Sequence, residues 1–176
     1  MGDPATNDEP LQQQEASHEL IATAYHEAGH AVMCLSLGRL IKKVTILPGK
    51  SRFGDHRLGA CEMRKGTTKA SKNLLEDEIL ILFAGMVAEA QFTGEYCQQG
   101  AAQDLMSIKR LLRDRVQTES QFERTSRRLL DKTEHHLRDP RHVKAIEWIA
   151  KDLIARTTIS GRAVRHFFNQ AMTAKL

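Results

Sequence analysis

A mainly helical α+β domain is the fold class this sequence predicts, and three observations carry it. From about residue 17 onward, apolar residues recur at three- and four-residue spacing along most of the chain. Strand signals are few: residues 41–47 are rich in β-branched side chains, and residues 58–63 can pair with them across a 49–59 loop, giving a small β-sheet or ribbon. A single chain of 176 residues without internal repeats forms one domain with room for a real core.

The elements follow in order. The first 19 residues hold Asp3, Asp8, Glu9, Glu15 and Glu19 but no Lys or Arg. With Pro4, Pro10 and three glutamines, residues 1–16 read as a flexible acidic tail ahead of a domain spanning 17–176. Ser17 is read as the N-cap of a first helix over about 17–37, with Gly38 as the glycine that ends it. The strand pair comes next. Residues 79–88 form the longest apolar run, far below the ~20 needed to span a membrane, so they read as a buried central helix inside about 71–92. Further helices are expected at about 101–117, 120–137, 141–156 and 160–173, punctuated by Gly94 and by Asp139-Pro140. Trp148, Phe167 and Phe168 read as core, and His135-His136 as a solvated helix end.

Composition narrows the functional classes. Between residues 109 and 144, eleven Lys and Arg face six Asp and Glu. The acids interleave and no aromatic platform accompanies them, which favours an ion-paired helical face, and no nucleic-acid partner is expected. Cys34, Cys61 and Cys97 are odd in number and lack C-x-x-C spacing. Reduced thiols in a cytoplasmic protein are the expectation, with Cys34 as plain core. No apolar signal peptide is present, and residues 1–6 match a myristoylation pattern only formally.

The chemistry sits in the first helix, where residues 26–30 spell H-E-x-x-H. His26 and His30, four apart, lie on one helix face and can reach a single metal ion. Zinc accepts neutral imidazole nitrogen at roughly 2.0–2.1 Å and, in catalytic sites, keeps one position open for water. Glu27 is turned about 100° off the ligand row, the place for a general base beside that position. A third ligand is required. The longer H-E-x-x-H-x-x-G-x-x-H motif is excluded, because Met33 and Ser36 stand where it needs Gly and His. On donor chemistry the candidates are Glu89, Asp104 and, more weakly, Asp55 and His56, and spacing does not choose among them.

An extended set of segments resembles the peptidase domain of the FtsH-type zinc metalloproteases. Residues 23–32 (TAYHEAGHAV) look like that family's metal helix and residues 43–48 (KVTILP) like the strand after it. Leu58-Gly59, the stretch 79–89 with Ala84-Gly85 and Ala88-Glu89, and residues 100–105 (GAAQDL) continue in family order, with a looser likeness over 153–161. The resemblance implies Asp104 as third ligand and Glu89 as a neighbouring acid that supports the site. Departures are Gly49 after Pro48, where the family usually has arginine, Ala90 in place of a second acid, and a shortened segment after about Val116. They bear on the substrate groove and leave the metal triad intact. The family also carries membrane spans and an ATPase module, whereas these residues contain no G-x-x-x-x-G-K-[ST] and no long apolar span.

The expected function is therefore a zinc-dependent, ATP-independent endopeptidase. His26, His30 and Asp104 would hold Zn2+, Glu27 would be the catalytic base, and peptides or unfolded polypeptide would be the substrates, with oligomerisation allowed. The alternative is a non-catalytic zinc-containing module that binds a separate ATPase or an acidic partner. Glu27 argues against it, since structural zinc has no use for an adjacent base.

Overall fold

The computed structural model describes residues 9–50 and 56–174, with side chains over 17–49 and 58–174. Helix α1 (Glu9–Ser36) begins at Glu9 and not at Ser17. The physical reason is that glutamine, glutamate and alanine are good helix formers as well as tail-like residues. Once packing fixes the downstream turns, each upstream residue adds one hydrogen bond, and Pro10 is tolerated in the first turn. The other end of α1 agrees with the sequence: Gly38 takes φ 75° and donates to the Leu35 carbonyl at 3.0 Å.

The chain then enters β1 (Arg39–Thr45), a short ribbon of β2 (Gly49–Lys50) with β3 (His56–Arg57), and β4 (Ala60–Thr67). β4 runs antiparallel to β1, from Thr45↔Ala60 to Arg39↔Thr67. Both long strands are offset by a couple of residues from the sequence reading, because the Leu47 N–H turns back onto Thr45 Oγ1 at 3.2 Å and takes the chain out of the ladder. Helix α2 (Leu74–Thr93) is capped by the Asn73 side chain on the Glu76 N–H and ends at Gly94 with φ 88°. Its residues Ile79–Ile81 and Phe83–Glu89 are buried, the central helix expected.

Helices α3 (Ala102–Arg113), α4 (Glu119–Leu137) and α5 (Pro140–Arg156) follow. α3 stops short of the expected 117, and Thr118 restarts the backbone as the N-cap of α4. After α5 comes β5 (Thr158–Ser160), then α6 (Gly161–Thr173). β5 is absent from the sequence reading. It pairs with β1 at Lys43↔Ser160 and Thr45↔Thr158, making a sheet of order β4-β1-β5. Three residues wedged between two helices carry no readable period. The turn into β5 is made by Thr157 at φ 60°, a conformation uncommon for a β-branched residue. Hydrogen bonds hold it there: its N–H donates to the Leu153 carbonyl at 2.7 Å and its carbonyl accepts from the Ile46 N–H at 2.8 Å.

α1 lies at the centre, packed on α2, α5 and β1. Trp148, Phe167 and Phe168 are partly buried against the core. His136 departs from the solvated end expected of it: it stacks on buried His142 with ring centroids 4.7 Å apart. Part of the basic segment is ion-paired, with Arg128 and Lys132 meeting Glu76, Arg138 meeting Glu134 and Arg141 meeting Asp139. Among the described residues no helix is long and apolar enough to cross a membrane.

Candidate metal centre

His26 and His30 project from α1 toward α2, and the two helices approach closely because glycine stands on each. Any side chain at Gly29 would strike the Ala84 carbonyl and come within 2.5 Å of Ala88 Cβ. A Cβ at Gly85 would sit 2.5 Å from Nε2 of His26 and 2.5 Å from Nε2 of His30. Gly85 therefore keeps open the space onto which both imidazoles converge. Its role is not read from the sequence, although a glycine inside a helix, costing about 1 kcal/mol against alanine, is a signal that backbone must pass closely.

The first turn of α3 closes the site. Asp104 Oδ2 lies 3.0 Å from His26 Nε2 and 3.2 Å from His30 Nε2. The ligand-type atoms of His26, His30 and Asp104 all fall within 4.8 Å of one another. The far side of each ring is anchored: His26 Nδ1 is 2.9 Å from Glu89 Oε2, and His30 Nδ1 is 2.7 Å from the Ile81 carbonyl. Carboxylate and carbonyl only accept, so each Nδ1–H donates on that side while each Nε2 faces Asp104. Glu89 is thus buried against His26 and is not a solvated helix residue. Asp55 and the side chain of His56, the weaker candidates, lie outside the described residues.

Burial opposes charge on these groups, and their partners overcome it. Burial would push the His26 imidazole down, but its hydrogen bonds to Asp104 and Glu89 lift it to about 10. His30 moves up in the same way, with the Asp104 charge outweighing burial. Burial would raise Asp104, yet His30 and His26 hold it well below the usual carboxylate range. The negative field that favours protons here favours a divalent cation in their place, and two imidazole nitrogens with one carboxylate oxygen suit zinc.

Glu27 is 6% exposed and borders the same cleft, which has a volume of about 630 Å³. Gly59 passes so close that a Cβ there would meet Glu27 Oε1 at 2.7 Å. Along the cleft's other wall run residues of β4, including Ala60, Cys61 and Met63.

The sequence profile of peptidase family M41 matches residues 13–121, which include every residue of the centre. The chain belongs to peptidase family M41. The M41 relatives it resembles include the ATP-dependent zinc metalloprotease FtsH of Protochlamydia amoebophila, 38% identical over 104 residues, covering 56% of this chain and 11% of that protein. That of Chlamydia trachomatis is 34% identical over 105 residues, 57% of this chain and 11% of the relative. A chloroplastic FTSH of Medicago sativa is 30% identical over 96 residues, 53% of this chain and 14% of the relative. The chain thus matches a small part of these longer M41 proteins, and α5, β5, α6 and nearly all of α4 lie beyond the profile match.

Proposed function

We propose that this chain is a zinc-dependent endopeptidase that hydrolyses peptides or unfolded polypeptide segments without needing ATP. The observation that carries the reading is the convergence of His26 Nε2, His30 Nε2 and Asp104 Oδ2 on one point beside a buried Glu27. His26, His30 and Asp104 would hold the zinc, which supplies a Lewis acid able to polarise a scissile carbonyl and to lower the pKa of water to about 7. The Glu27 carboxylate takes a proton from the attacking water and passes it to the leaving amine. Glu89 holds the His26 Nδ1–H and the Ile81 carbonyl holds that of His30, fixing ring orientation and tautomer.

Substrate would lie extended along β4. β1 is paired on both edges, by β4 and β5, whereas β4 is one of the two outer strands of the sheet and the one whose residues border the cleft. Pairing through main-chain hydrogen bonds makes recognition tolerant of sequence. Short or already unfolded chains suit such pairing, because an extended segment must be free to lie along the strand.

The test is zinc content by elemental analysis together with hydrolysis of casein and of a stable folded protein, each with and without ATP. Wild type should carry about one zinc per chain and cleave casein at a rate indifferent to ATP while sparing the folded protein. Glu27→Gln should keep the zinc and lose hydrolysis. Hydrolysis that appears only with ATP, or full activity in Glu27→Gln, overturns the reading.

A further inference from the structure

Residues 94–101 link α2 to α3 and so carry the chain from the helix that holds Glu89 to the turn that holds Asp104. Cys97, Gln99 and Gly100 of this segment border the cleft, and Gly100 lies against Glu89: a Cβ there would be 3.5 Å from each of its carboxylate oxygens. Within α3 itself little fixes the turn that bears Asp104. Its N-cap residue, Ala101, has no side chain able to accept a hydrogen bond, and the buried residues of the helix, Ile108 and Leu112, come only after that turn. The linking segment folds back on itself, with the Cys97 carbonyl accepting from the Ala101 N–H at 3.2 Å and Cys97 Sγ from the Gly100 N–H at 3.3 Å. Among the described residues, one hydrogen bond ties it to a distant part of the chain: the Tyr96 hydroxyl donates to Glu134 Oε1 on α4. The other oxygen of that carboxylate, Oε2, accepts from Arg138 at 2.9 Å. α4 is anchored in the core by Leu129, Thr133 and Leu137, so Glu134 stands on a fixed support. Burial, reinforced by the Glu134 charge, pushes the Tyr96 hydroxyl up to about 12, so it keeps the proton it donates.

We propose that Tyr96 is a positioning residue for the metal centre: its hydrogen bond to Glu134 moors the 94–101 segment to α4 and so holds Asp104 within reach of His26 and His30. The proposal rests on the reading of those three residues as zinc ligands. Tyr96 touches neither metal nor substrate and acts through the backbone that leads into α3. With the mooring cut, the segment must be ordered each time the metal binds, and that entropic cost appears as weaker affinity. Glu134 lies beyond the M41 profile match, which ends at residue 121, so the mooring joins the family's metal site to a helix that is mostly outside the match. Tyr96 is 45% exposed, and a hydrogen bond open to solvent is worth less than one in the core. The expected effect is therefore smaller than the ~10–100-fold that follows loss of a group bonded directly to a ligand.

The experiment measures zinc affinity of the purified full chain by competition with a chromophoric chelator, and amide hydrogen exchange over residues 95–105 after the metal is stripped. Tyr96→Phe and Glu134→Ala should each weaken zinc binding by about 3–10-fold and speed exchange in that segment, with the Tm of the stripped protein little changed. The double variant should be no worse than either single one, because both remove the same bond. Glu134→Gln keeps an oxygen that accepts from the Tyr96 hydroxyl and should stay close to wild type, a rescue that a general loss of charge or packing on α4 does not give. Arg138→Ala, which leaves the Tyr96 bond in place, should also bind zinc almost as wild type does. Wild-type affinity in Tyr96→Phe overturns the proposal. So does a Glu134→Gln variant as weak as Glu134→Ala, a double variant whose losses add, or faster exchange spread over the whole chain with a lowered Tm. A wild-type chain that holds no zinc overturns the reading of the centre instead, and the exchange measurement, made without metal, still shows whether the Tyr96 bond orders the segment.

Discussion

The α1–α2 pair and the α4–α6 half are both helical, but different forces hold them. Where α1 meets α2, glycines at 29 and 85 bring backbones together, and His26, Glu27, His30 and Glu89 are buried at 8%, 6%, 8% and 7% exposure. α4, α5 and α6 are instead set by Thr118, Asp139 and Ser160 as N-caps, by amphipathic faces and by ion pairs at the surface. Helix edges there are specified locally, each by a residue or two. The site half is specified by contacts distant in sequence, so its residues tolerate change far less. What the difference teaches is that this protein concentrates its structural cost where chemistry is placed, and its redundancy elsewhere.

That contrast can be broken at Gly85. A methyl group there projects into the space between the two Nε2 atoms, so Gly85→Ala should lose zinc almost completely, even though alanine is the better helix former. Elemental analysis beside a circular dichroism spectrum decides it, and one zinc per chain in a folded variant would refute the placement. Next in size, Asp104→Ala should lose metal and activity together. Glu89→Gln, which keeps the shape but weakens the acceptor on His26 Nδ1, should cost ~10–100-fold in metal affinity or activity. The reverse ranking would make Glu89 the ligand.

A pH series sharpens the comparison further. In the metal-stripped protein, His26 rises from 6.5 to about 10, so the stability it contributes is full below pH 6.5 and is lost as pH climbs through about 10. Asp104 moves the opposite way, so its contribution is present above about 3.8 and fades as pH falls below that. The Tm of stripped protein should accordingly be highest between these limits and decline toward pH 10. Zinc displaces those protons, so the Tm rise on adding zinc should grow from about pH 6 to about pH 9. A rise that shrinks with pH would place the bound protons elsewhere. The smallest effect is expected in the other half. Asp139→Ala removes the side chain that caps the Arg141 N–H and should cost about 1 kcal/mol in urea unfolding with zinc content unchanged.

How much of this was legible in the sequence follows the same division. The H-E-x-x-H helix, its αL glycine, the central buried helix and the capped C-terminal helices carry periodic or capping signals within a few residues of one another, and these were readable. His26, Glu27 and His30 share one helical motif. Asp104 was one of several carboxylates until the family resemblance ranked it, because a contact spanning 78 residues leaves no local trace. β5, which pairs with a strand more than 100 residues earlier, was invisible for the same reason. The early start of α1 was missed because its residues serve a helix and a tail equally well.

The Thr45–Thr158 pairing joins residues 113 apart, and Thr157 is turned out of its usual conformation to make it. On the ribosome, β1 emerges long before the segment that will cover its second edge. Until α5 is complete, that strand exposes a row of unpaired N–H and C=O groups beside the metal helix, a template for pairing with the wrong chain. Closing so long a loop also makes the final strand a late arrival in folding. A chain cut after α5 would keep His26, His30 and Asp104 and lose the strand that shields its sheet, so self-association, not loss of those side chains, should be its first defect.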